Sequence, residues 1–187
     1  ALFPKFTEII FASAIAGLVY IICRDVFGGF GGKLGAMGFI SAIAAGLILG
    51  RSFTSPAIPS LNTDLWLILF AFFAAPLTFY LNVNLNNGPV LASSAIGLLG
   101  GIVLPALFPE IGGQLAVVVI CASFVGMTSK ARCPKFWYML IAGLFSGFLF
   151  VLSVPLLGGC GGKLGTIGFT SIMSVLGFVK IIQRLRK

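Results

Sequence analysis

The sequence predicts an all-α integral membrane protein of about seven transmembrane helices, built on an internal helical-hairpin repeat. Three observations carry that prediction. Hydrophobic residues make up 59% of the 187 positions and charged residues only 9%, whereas a soluble domain carries about 25% charged residues. Apolar stretches close to a membrane span in length follow one another with short polar breaks. The string GGFGGKLGAMGFIS at 28–41 returns as GGCGGKLGTIGFTS at 158–171, identical at ten of fourteen positions and offset by 130.

The apolar runs justify the elements in order. Ile9–Cys23 is the first and ends at Arg24-Asp25. A glycine turn, Gly28–Gly32, leads into the second, Leu34–Gly50, which Arg51 stops. The polar linker 52–64 contains Pro56 and Pro59, which forbid helix continuity. The third run, Leu65–Leu81, has Pro76 inside it as an expected kink, and NVNLNNGP at 82–89 reads as a solvated turn. The fourth is Val90–Phe108, with Gly100-Gly101 and Pro105 as weak points. The fifth, Leu115–Met127, is short enough either to span or to re-enter. The sixth, Phe136–Leu157, opens on the interfacial aromatics Trp137 and Tyr138, and the seventh is Leu164–Ile182. The chain therefore reads as one polytopic domain, residues 1–187, with repeat hairpins at 9–50 and 139–180. Glu8 interrupts the start of the first run, which is read as a span and not as a signal peptide.

The charge of +8 follows the membrane reading. Seven spans put Lys5, Arg51 and Lys163 on one side and the other nine Lys and Arg on the other. The positive-inside rule then orients the N-terminus outside and the C-terminus toward the cytoplasm. A bacterial or archaeal cytoplasmic membrane is the expected location. Cations at the ends of apolar runs serve topology and lipid headgroups, so nucleic acid is not an expected partner. An odd number of spans between the hairpins predicts an inverted repeat, with the two glycine turns on opposite membrane faces.

The turns supply the candidate contacts: Gly31, Gly32 and Lys33 in the first copy, Gly161, Gly162 and Lys163 in the second. Each lysine stands at a helix N-terminus, where the macrodipole opposes a cation. Glycine N–H groups, a helix end and an ammonium together can hold an anion. The expected ligands are lipid phosphate at Lys33 and a solute at Lys163. The simpler reading is a tight turn with a snorkelling lysine. The string is not a nucleotide-binding P-loop, because leucine follows both lysines. Small residues, including Gly35, Gly143 and Gly147, mark faces for close helix packing.

Several chemistries lack parts. There is no His, the four Cys (23, 121, 133 and 160) form no CxxC pair, and the carboxylates Glu8, Asp25, Asp64 and Glu110 all lie near run ends. No metal, cofactor or enzyme activity is expected, and no proton relay is visible. Two functions remain. The first is passage of a small solute or ion through the repeat interface. The second is a structural or assembly subunit of a larger membrane complex. The expected partners are the bilayer, including anionic lipid, and either copies of the chain or other membrane subunits.

Overall fold

A computed structural model describes residues 5–52, 61–156 and 160–186. Pro56, Pro59, Gly158, Gly159 and Lys187 lie outside the described residues. Among the described residues seven α-helices follow in order: α1 (Phe6–Cys23), α2 (Lys33–Ile48), α3 (Leu61–Phe79), α4 (Pro89–Leu107), α5 (Gly112–Gly126), α6 (Trp137–Ser153) and α7 (Lys163–Leu185). No strand occurs among the described residues. Four helices are long and apolar enough to cross a membrane: α1, α3 with its extension to Asn84, α4 and α7. The other three are shorter but equally apolar in character.

The helix ends follow from local chemistry. Pro89 opens α4, where a missing N–H costs nothing. Gly50 closes α2 with φ +63°, and the Arg51 N–H returns to the Gly46 carbonyl at 2.8 Å. That left-handed stop is a glycine conformation. It also delivers Arg51 to Glu8, which lies buried in the first turn of α1 and forms an ion pair with it. The pair closes the open end of the α1–α2 hairpin. The sequence placed both charges at run ends without joining them.

Pro76 and Pro105 sit inside α3 and α4, which continue through them. The expected weakness of α3 shows farther on, as a π-helical turn at Tyr80–Asn84. The Asn-rich stretch departs from the expected solvated turn. Asn82 is buried and donates to the Gly126 and Thr128 carbonyls at 3.1 and 3.4 Å, while Asn84, Asn86 and Asn87 are exposed.

The core is organised on α5. It packs against α3, α4, α6 and α7, and Leu115, Val118, Ala122 and Val125 are fully buried. A helix apolar all round belongs in such a place. Helix α6 lies in close contact with α3 through its glycines. A Cβ on Gly147 would stand 2.7 Å from Ile68 Cα, and one on Gly143 would stand 2.8 Å from the Ala71 carbonyl oxygen. Helix α1 differs from its repeat mate. It packs against α2, and Gly17, the counterpart of Gly147, has nothing within 4 Å of a Cβ position.

Candidate functional site

The ends of the two glycine turns, where they enter their helices, are built alike. Gly32 and Gly162 are the N-caps of α2 and α7, with φ +73° and +84°. Each passes its carbonyl to the helix four residues on, Ala36 N–H at 3.1 Å and Thr166 N–H at 3.0 Å. Deeper in the two helices, Ser41 and Ser171 are buried mates, each donating to the carbonyl four residues back. A buried hydroxyl is satisfied locally in this way.

The two copies meet. A Cβ on Gly32 would stand 2.3 Å from the Gly165 carbonyl oxygen and 2.9 Å from the Phe169 nitrogen. A Cβ on Gly162 would stand 2.3 Å from the Gly35 carbonyl oxygen and 2.8 Å from the Phe39 nitrogen. The partners exchange under the same offset of 130. Gly32 lies by Phe169 and Phe39 lies by Gly162, so the first two turns of α2 and α7 run antiparallel, side by side. This overturns the expectation that the turns lie on opposite faces of a membrane. Counting spans assumed that each loop stays at a surface. The second turn instead folds inward along α5: the Cys121 thiol, in the middle of that helix, donates to the Leu164 carbonyl at 3.4 Å.

A cavity of about 740 Å³ opens at this junction. Five of the six candidate residues line it (Gly31, Gly32, Lys33, Gly162 and Lys163), together with Phe124, Met127, Ser129 and Cys160. Gly161 is not in the lining. The wall is mainly apolar, with Lys33, Lys163 and Ser129 as its polar residues.

The lysines are not equivalent. Lys163 Nζ donates to the Ser153 and Leu156 carbonyls, the latter at 2.6 Å. It thereby caps the C-terminal end of α6, where a cation is favoured by the dipole. Its position at the start of α7 has a structural reason, and no anion is required. Lys33 makes no hydrogen bond or ion pair among the described residues and is half-buried at the cavity wall. The sequence assigned the solute to Lys163. Of the two lysines, Lys163 is engaged by α6 and Lys33 has no hydrogen-bond or ion-pair partner among the described residues.

The first turn is held by residues the sequence did not single out. Gly31 N–H donates to Thr128 Oγ1 at 3.1 Å, and Ser129 N–H to the Gly29 carbonyl at 2.8 Å. Arg132 Nε donates to the Gly28 carbonyl at 2.9 Å, and its guanidinium lies 4.9 Å from the centre of the Phe30 ring. A Cβ on Gly31 would stand 1.9 Å from the Phe124 carbonyl oxygen. These partners lie about a hundred residues away and repeat no motif, so no sequence pattern announces them. Among the described residues, no three His, Cys, Asp or Glu side chains gather into a metal-binding group.

No family model, curated protein or solved structure matches the chain.

Proposed function

We propose that this is a multi-pass membrane protein that passes a small solute or ion between its two repeat hairpins, 9–50 and 139–180, arranged as an inverted repeat. One observation carries the reading. Two copies of one motif, with their helices leaving in opposite directions, join around a single cavity that exposes a free lysine. Inverted repeats with sites at helix N-termini near mid-membrane are a transporter architecture. In this reading the second turn lies inside the bilayer, where irregular backbone is tolerated when it is buried or lines a cavity, and the first lies at the cytoplasmic end beside Arg132. Lys33 and the N-terminus of α2 favour an anionic or electron-rich solute. With Lys163 drawn inward against α6, nine cations against Lys5 and Arg51 support a cytoplasmic C-terminus in a prokaryotic inner membrane.

The test is stopped-flow light scattering of proteoliposomes challenged separately with acetate, inorganic phosphate and urea. Faster relaxation than in empty vesicles for at least one solute, lost in Lys33→Gln, supports passage. Relaxation equal to empty vesicles for all three overturns it.

The alternative is an assembly subunit, and one observation favours it. In α1, apolar residues such as Phe6, Ile10, Leu18 and Ile22 are exposed, and the face equivalent to the one α6 presents to α3 is open. Co-purification with a stoichiometric partner after mild solubilisation would support that reading.

A further inference from the structure

A second cavity, of about 500 Å³, shares Phe30 with the first and lies between the linker before α6 and the second half of α7. Arg132, Lys135 and Lys180 stand at it, over apolar side chains that include Phe30, Tyr138 and Leu176. An adjoining cavity of about 520 Å³ shares Gly177, Lys180 and Gln183 and adds Arg184. Four cations therefore line two adjoining hollows.

Among the described residues no carboxylate pairs with them. The chain has no Asp or Glu after Glu110. Glu8 is committed to Arg51 and Asp25 to Arg24, and neither Asp64 nor Glu110 lines either hollow. Arg132 spends its Nε on the Gly28 carbonyl, and its terminal nitrogens have no hydrogen-bond partner among the described residues. Lys135 Nζ lies 5.9 Å from the Tyr138 ring centre, a contact that leaves its donors unused. Bringing like charges together over a low-dielectric floor is unfavourable unless an anion joins them. Arginine with lysines beside it is the donor set that phosphate takes.

We propose that this groove binds the headgroup of an anionic phospholipid, its phosphate among Arg132, Lys135 and Lys180 and an acyl chain along Met173 and Leu176 of α7. The apolar floor selects an amphiphile over a free anion. The charge bias places the groove at the cytoplasmic surface, where anionic lipids are abundant. The inference rests on the membrane reading above and is independent of what crosses the glycine junction.

The experiment reconstitutes the full chain in nanodiscs of phosphatidylglycerol or of phosphatidylcholine. It follows lipid retention by native mass spectrometry after transfer to detergent, with melting temperature in parallel. Phosphatidylglycerol should be retained over phosphatidylcholine. Lys135→Gln and Lys180→Gln should each lower retention about fivefold, and Lys180→Arg should restore it. Arg24→Gln, a cation outside the groove, should leave it unchanged. Equal retention of the two lipids, or an equal loss in Arg24→Gln, would overturn the site in favour of general surface attraction. A melting shift with millimolar inorganic phosphate in phosphatidylcholine discs, matching that of phosphatidylglycerol, would make the ligand a soluble anion and overturn the lipid assignment. Release of the chain from membranes by alkaline carbonate would overturn the membrane reading and the lipid site together.

Discussion

Gly35 and Gly165 face each other across the antiparallel start of α2 and α7. A Cβ on Gly35 would stand 2.6 Å from Gly165 Cα, and one on Gly165 would stand 2.7 Å from Gly35 Cα. The contact is backbone against backbone, so no flexible side chain is present to yield. It joins the two copies of the repeat and fixes the cavity between them.

Substitution at this contact should be severe and symmetric. Gly35→Ala and Gly165→Ala each force apart two helices, a cost of about 1–3 kcal/mol for overpacking. Gly32→Ala and Gly162→Ala add the left-handed φ, about 1–2 kcal/mol more. Gly161→Ala meets open space and should be neutral. Thermal unfolding in detergent checks the series. Equal melting temperatures for Gly161→Ala and Gly35→Ala would mean that the two copies do not touch.

The repeat mates Gly17 and Gly147 should respond differently. Gly147→Leu drives a side chain into α3 at Ile68 and Ala71 and should lower stability by several kcal/mol. Gly17→Leu points into open space and should be tolerated in an isolated chain. Loss of folded protein for Gly17→Leu alone would show that α1 has a packing partner in the cell.

The two lysines should separate function from stability. Lys163→Gln removes the cap on α6 and should lower the melting temperature, with about 0.5–2 kcal/mol lost. Lys33→Gln removes no hydrogen bond or ion pair among the described residues, so stability should hold while any anion flux falls. A stability loss confined to Lys33→Gln would reverse this assignment.

Cys133 should be the slow thiol of the α5–α6 linker. It is fully buried, and burial pushes its pKa from 9.0 up to about 11. At pH 8 the thiolate fraction should be about a hundredfold below that of an ordinary thiol. Alkylation should quicken about tenfold per pH unit up to that value. The sign for stability follows. Unfolded chains ionise this thiol near pH 9 while folded chains keep it neutral, so its contribution is lost as pH rises from 9 toward 11. Mass-spectrometric alkylation rates across this range, with half-buried Cys23 as internal reference, give the check.

Membrane topology can be read by single-cysteine labelling in a Cys-free background. Positions 131 and 186 should react only from the cytoplasmic side and position 52 only from outside. Labelling of 52 and 186 from the same side would remove the seven-span arrangement.

Seven apolar runs bounded by Arg24, Arg51, Gly112 and the glycine turns became seven helices, with starts and ends close to their predicted positions. Apolar length, prolines and glycine stops are local properties, and local chemistry fixes where a helix can exist. The 130-residue offset likewise announced two equal helix starts, because the shared GGKLG adopts the same cap at Gly32 and Gly162. Where those turns sit relative to each other was decided only by packing. The second turn folds inward because α5 offers a face at Cys121 and because Gly35 and Gly165 let two backbones touch. The same holds for the lysines. Their sequence contexts are alike, yet Lys163 reaches the end of α6 and Lys33 does not reach the end of α1. Helix α6 is seated against α3, whereas α1 packs against α2 and leaves its equivalent face open. Composition and periodicity encode each helix separately, but the depth of a turn and the partner of a charge depend on all the helices packed around them.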